Sequence, residues 1–251
     1  MIDIGVNLTN QRFDKDCREV LLRAREAGVS QCVVTGTNLL ESISAVALVE
    51  EFQGEFPGML FSTAGIHPHD AVHCNAEALA ELATLIRDNP GIVVAVGETG
   101  LDFNRDFSPR ESQENSLQQQ IELASRTGLP LFLHERDAAD RQLALLREFG
   151  RELPPAVVHC FTGDRAALEA YLEMDLWIGI TGWVCDERRG LDLQSLVKSI
   201  PADKLLVETD APYLLPRTLK PKPKSNRNEP AFLPLVIEII ARCRGQTCGE
   251  V

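Results

Sequence analysis

Five short stretches of this 251-residue chain set imidazoles beside carboxylates in a way that suits metal-assisted hydrolysis. They read Gly65-Ile-His-Pro-His69, Gly97-Glu-Thr-Gly-Leu-Asp102, Leu133-His-Glu-Arg-Asp137, Val158-His-Cys-Phe-Thr-Gly163 and Val207-Glu-Thr-Asp-Ala-Pro212. Four of the five histidines fall inside them, and only His73 lies just beyond. Glu98, His134, His159 and Asp210 form a mixed nitrogen and oxygen set that suits Mn, Zn, Fe or Mg and disfavours a thiolate zinc. Ligands drawn from four separate segments leave positions open for water and substrate, which is the arrangement of catalysis rather than of scaffolding. Arg136, two residues past His134, is the candidate phosphate contact on the same segment.

Such groups must be brought together by a scaffold, and the rhythm of the sequence names one. Apolar runs without polar alternation occur at Ile2–Val6, Gln31–Thr35, Leu60–Gly65, Ile92–Gly97, Leu131–Leu133, Ala156–Val158, Leu176–Ile180 and Lys204–Val207. Runs of this kind read as strands buried on both faces. Between them lie helix-like stretches at Asp14–Ala27, Leu39–Phe52, Ala76–Asp88, Pro109–Thr127, Asp137–Arg151, Arg165–Glu173, Leu191–Ser199 and Ala231–Arg244. Eight strands alternating with eight helices predict an α/β chain folded as a single (β/α)8 TIM barrel over residues 1–251, with the five stretches at the C-terminal ends of strands. No glycine-rich dinucleotide fingerprint or P-loop occurs, which removes the usual signatures of nucleotide cofactors.

Composition narrows the partners. Thirty-seven acids against 25 bases give a net charge of −12, which repels a phosphate backbone on average and argues against broad binding to duplex DNA or an anionic membrane. One region departs from that balance. Ala211–Asn228 holds no acid but carries Arg217, Lys220, Lys222, Lys224 and Arg227, a local attractor for a polyanion next to Asp210. Trp183, followed by Cys185-Asp-Glu-Arg-Arg-Gly190, is a candidate for stacking a base. Seven unevenly spaced cysteines without a C-x-x-C motif, together with an N-terminus lacking a leader pattern, point to a reducing cytoplasm; Cys32 and Cys160 read as small core residues.

These motifs, with Gly179-Ile-Thr-Gly-Trp-Val184 added, occur in the order found in TatD-type metal-dependent deoxyribonucleases, which the chain resembles over nearly its whole length. The resemblance implies a phosphodiesterase that acts as an exonuclease on single-stranded DNA, and also RNA, with 3'-5' polarity favoured and a role in DNA repair or turnover. By the same resemblance Glu98, His134 and His159 correspond to metal ligands and Asp210 to a ligand or base, so that Glu98 and Asp210 are the catalytic pair. His67, His69, Arg136, Trp183 and Arg227 are expected to hold substrate and its phosphate. The expected cofactor is a divalent cation, Mg2+ first, with Mn2+ or Zn2+ as alternatives. The partners are strand ends, with no membrane and no obligate protein partner, and the enzyme is expected to be a monomer. One departure stands out: Gly5-Val-Asn7 occupies the positions where most of the superfamily carries His-x-His. That form implies one tight metal site and a second, weaker site that depends on substrate. Family chains also usually continue through a further helix past the position of Val251. A small-molecule amidohydrolase and an inactive barrel with a binding role are the alternatives.

Overall fold

Val, Ile and Leu stack on both faces of a pleated strand, and a strand apolar on both faces must be covered twice, by the barrel interior and by a helix. The computed structural model, which describes residues 1–221, 223 and 225–251, shows that solution. Eight parallel strands follow one another around the sheet in chain order: β1 (Ile2–Val6), β2 (Gln31–Val34), β3 (Leu60–Ala64), β4 (Val93–Asp102), β5 (Leu131–Arg136), β6 (Ala156–Val158), β7 (Trp177–Ile180) and β8 (Leu205–Val207). The outer layer is α1 (Cys17–Glu26), α2 (Leu39–Phe52), α3 (Ala76–Asp88), α4 (Arg110–Thr127), α5 (Ala139–Phe149), α6 (Arg165–Glu173), α7 (Leu191–Val197) and α8 (Leu233–Arg244). Asparagine or aspartate side chains cap α2, α3 and α6, each accepting from a backbone N–H three residues on. Gly128 and Gly245 end α4 and α8 in the left-handed conformation. The (β/α)8 barrel read from the sequence is the observed architecture.

Two strands, β4 and β5, are longer than their apolar runs. The pattern predicts an end to β4 at Gly97, but the strand continues to Asp102, because β5 pairs with it residue by residue from Thr99↔Leu133 to Asp102↔Arg136. The extension passes through Gly100, whose φ of +145° and contact with the His134 carbonyl exclude a side chain. Glu98, Thr99 and Asp102 are buried on this stretch, so residues that read as a polar loop are the wall of the barrel mouth. Several helices begin later than their patterns: α1 at Cys17 and not Asp14, α4 one residue late at Arg110, α5 after Asp137, which adopts φ +52°, and α8 after a 3-10 turn at Pro230–Phe232.

The barrel closes where the first and last strands meet. Asp210 N–H donates to the Gly5 carbonyl at 2.9 Å and Asn7 N–H to the Ala211 carbonyl at 2.7 Å. Below them the fully buried Asp3 carboxyl takes Thr209 N–H at 2.9 Å and meets the Thr209 hydroxyl at 2.5 Å. Burial raises the Asp3 carboxyl from 3.8 to about 7, against the Thr209 bonds that lower it. The folded chain therefore holds this proton more tightly than the unfolded chain, and the stability it confers is present near pH 4 and is lost as pH rises through about 7. Linkage bounds that loss at about 4 kcal/mol. Thermal melts should show the wild type losing stability between pH 4 and 7 while Asp3→Asn, which keeps the shape and removes the titration, changes less. Parallel curves for the two would show that Asp3 does not titrate there.

Candidate metal centre

The C-terminal ends of β3, β4, β5, β6 and β8 deliver their polar residues to one open cavity of about 970 Å³. His67, His69, Glu98, His134, Arg136, His159, Trp183 and Asp210 all line it. Two strand-end residues that line it turn through the left-handed region: Cys160 at φ +47° and Asp210 at +52°. Backbone of this kind is held against its own preference by its surroundings, a feature that gathers at functional sites.

Glu98 is the hub. Its Oε1 lies 2.7 Å from His159 Nε2, 2.8 Å from His134 Nδ1 and 3.3 Å from His67 Nε2. Burial alone would neutralise the carboxyl; His159 and His67 charge and the bonds from His134 and His159 outweigh it and hold Glu98 well below the usual range. His159 is displaced the other way. Burial lowers it, and the Glu98 and Glu208 carboxylates more than reverse that. Asp210 is raised to about 7 by burial, with His159 opposing and Glu98 and Glu208 adding to the rise, and its Oδ1 accepts Asn7 Nδ2 at 2.9 Å.

Two carboxylates stand behind the imidazoles. Glu208 is fully buried; its Oε1 accepts Cys160 N–H at 2.5 Å and its Oε2 faces His159 Nδ1 at 3.3 Å. Asp102 Oδ2 lies 2.6 Å from His69 Nε2 and 3.5 Å from His134 Nε2. Asp102 stays below the ordinary carboxyl range: burial opposes ionisation, and His134, the Arg105 amide and His69 overcome it. Carboxylate–imidazole pairs of this kind fix which ring nitrogen presents its lone pair. His67 is different. Its Nδ1 accepts the His69 N–H at 3.0 Å, which places the ring proton on Nε2, facing Glu98, and burial lowers its pKa to about 4.

This donor set fits a divalent cation. One carboxylate oxygen serves three imidazoles, and His134 Nε2, 3.5 Å from Asp102 Oδ2, is buried without a hydrogen bond. Mixed imidazole and carboxylate donors suit Mg2+, Mn2+ or Zn2+.

Sequence reasoning gives no role to Glu208 or Asp102, although both stand inside the quoted motifs, and reads Asn7 only as a missing imidazole. It also reads Cys160 as core, whereas the residue is half-buried and lines the cavity. Arg227 is not brought to the mouth. Its guanidinium is bound by both Asp16 oxygens at 2.6 and 2.7 Å and by Glu229 at 2.7 Å. Arg217 and Arg189 are likewise paired with Asp186, at 3.0 and 3.2 Å. Lys222 and Lys224 lie outside the described residues.

A family model for TatD related DNase matches residues 2–251. The chain belongs to that family. As a TatD related DNase it is a hydrolytic nuclease. A relative from Pectobacterium parmentieri (strain WPP163), named 3'-5' ssDNA/RNA exonuclease TatD, is 52% identical over 98% of this chain and 92% of its own length. One of the same name from Edwardsiella piscicida is 53% identical with the same coverage. Among solved structures, a TatD family hydrolase from Entamoeba histolytica superposes with a TM-score of 0.91 at 29% identity, covering 100% of this chain and 93% of that one. A TatD homologue from Escherichia coli K12, YJJV, gives 0.87 at 29% identity, with 100% and 92% covered.

The Gly5-Val-Asn7 departure has a physical partner in this TatD member. A Cβ at Gly5 would run into Glu208 Oε2, and one at Gly179 would approach Glu208 Oε1 at 2.7 Å, so two glycines make room for this one carboxylate. Gly5→His should therefore lower the melting temperature and add no second cation site. Isothermal titration with Mn2+ should find tight binding in the wild type and Gly5→His no tighter, whereas Glu98→Gln should weaken it by about 100-fold or more. Unchanged affinity in Glu98→Gln would show that the cation sits elsewhere.

Proposed function

We propose that this chain shortens single-stranded DNA, and RNA, from 3' ends by metal-dependent hydrolysis of phosphodiester bonds in the Glu98 cavity. The observation that carries the reading is the single buried Glu98 oxygen gathering three imidazoles at the floor of an open mouth. The names of the two relatives quoted above supply the polarity and the substrates. Around the rim, Arg105 and Arg136 line the cavity and form no ion pair among the described residues, so their charges are free for phosphate. A polyanion uses such a mouth better than a small neutral amide does, which favours the nuclease over the amidohydrolase alternative.

Glu98, His134 and His159 would hold the cation, with Asp210 as a fourth ligand or as the base. The cation, Mg2+ in the first instance and Mn2+ or Zn2+ otherwise, would supply charge to the phosphoryl oxygens and acidify water. The chain's own groups do the rest. Asp102 and Glu208 hold the His134 and His159 rings in orientation. Arg136, on β5, offers a planar guanidinium to a phosphate of the strand. His67 and His69 line the same wall, on the side where the strand and its phosphate would lie. Asp210, steadied by Asn7, takes a proton from the attacking water as the new oxygen–phosphorus bond forms and the bond to the leaving oxygen breaks. Trp183 lies at the rim beside Arg136, 5.9 Å from the guanidinium to the ring centre. The seven free thiols fit a reducing compartment, and we place the enzyme in the cytoplasm as a monomer engaged in DNA repair or turnover. None of the described helices is long and apolar enough to cross a membrane.

Single strands labelled at either end, incubated with Mg2+, with chelator, and with Glu98→Gln enzyme, test the reading. Metal-dependent loss beginning at the 3' label, reduced on the order of a thousandfold in the variant, is expected. No shortening with Mg2+ or Mn2+ would overturn it. Because Asp210 accepts a proton only when ionised, kcat/KM should rise with pH on an acid limb whose midpoint is at or below about 7, a bound cation favouring the ionised form. Asp210→Asn should remove that limb. Arg136→Ala should raise KM about tenfold with little change in kcat, the signature of lost binding.

A further inference from the structure

Nearly all the aromatic side chains of this barrel are buried or half-buried, yet Phe107, on the β4–α4 loop, is 67% exposed beside the cavity. Its ring stands against the edge of His69, centroid to centroid 4.7 Å at 61°. His69 lines the mouth and is joined through Asp102 to His134. Phe107 is thus one imidazole away from the centre where the cation would sit.

The loop that presents it is fixed. Asp102 Oδ1 accepts Asn104 N–H at 3.0 Å and Arg105 N–H at 2.8 Å. Arg110 is paired with Asp106 at 2.9 Å. The next residue after Phe107, Ser108, is fully buried and donates from its hydroxyl to the His69 carbonyl at 2.9 Å. An exposed aromatic on a mobile loop is ordinary surface, but one locked on both sides is a preorganised contact. Its neighbours Asn104, Arg105 and Asp106 are polar, so the ring does not belong to an apolar patch that a folded protein partner would cover.

We propose that Phe107 is a stacking platform for a nucleobase near the end of a bound single strand, with Arg105 meeting the adjoining phosphate. The proposal rests on the nuclease reading above and names a base subsite for it. Arg105 lines the cavity two residues before Phe107, so a flat apolar face and a free positive charge lie side by side, the pairing that single-stranded nucleic acid requires. Stacking is indifferent to sequence because every base has a flat face. Trp183 is less available to a base, since the Arg189 guanidinium covers its ring at 4.6 Å. Tyr213, 50% exposed on another wall of the cavity, has its hydroxyl engaged by Asn10 Nδ2 at 3.2 Å.

The test compares two strands of one sequence, one ending in ordinary nucleotides and one ending in stable abasic analogues. Phe107→Ala should raise KM on the ordinary strand about tenfold at nearly constant kcat and leave KM on the abasic-ended strand unchanged. Phe107→Trp should restore the ordinary strand. A 2-aminopurine placed at the terminal positions should be quenched on binding to wild type in the presence of chelator, and not on binding to Phe107→Ala. Equal losses on both strands would show a structural role, and unchanged KM on the ordinary strand would show no role; either overturns the proposal. If wild type shortens neither strand with Mg2+ or Mn2+, it is the nuclease reading that fails, and the base subsite falls with it.

Discussion

A carboxylate inside a protein keeps its charge only if other charges and donors replace the water it has lost. In this barrel that group is Glu98, and the arrangement of the mouth follows from it. Three imidazoles converge on one of its oxygens. Imidazoles packed so closely must themselves be oriented, and Asp102 and Glu208 stand behind two of them while a backbone N–H sets the third. The acids that orient them are buried in turn, and are held by amides of Arg105 and Cys160. Each layer of polar groups is stabilised by the next one out until the secondary structure supplies the last donors. A cation enters this network as the most natural partner for its surplus of lone pairs.

The fold is readable because its signal is repetitive. Eight uninterrupted apolar runs can bury both faces only in a parallel sheet, and the spacing of the helices leaves little choice of topology. The site is readable because histidine is scarce here and four of five copies stand just past those runs. What escapes is whatever depends on contact across the chain. Glu208 and Asp102 look like any acid in a motif until the rings they face are placed. The last five residues of β4 have no strand pattern, since their pairing is dictated by β5 and not by their own composition. Arg227 looks free because no acid lies near it in the preceding residues, yet Asp16, 211 positions earlier, is its partner.

The glycine and asparagine near the N-terminus show how a loss in one position is tied to a gain in another. Gly5 is small because Glu208 lies where its side chain would go, and Asn7, in place of an imidazole, donates to Asp210. In this chain the end of β1 offers no nitrogen ligands; it makes room for a buried acid just past β8 and supplies an amide that steadies Asp210. Gly5-Val-Asn7 is thus part of a differently balanced centre and not a damaged one.

The seam between β1 and β8 joins residues 3–7 to residues 208–211, nearly the full span of the polypeptide. Glu208 and Asp210, which complete the mouth, are among the last residues of the barrel to be synthesised. A chain still emerging from the ribosome therefore lacks Glu208, which faces His159, and Asp210, which lines the mouth, until the last strand of the barrel has been made.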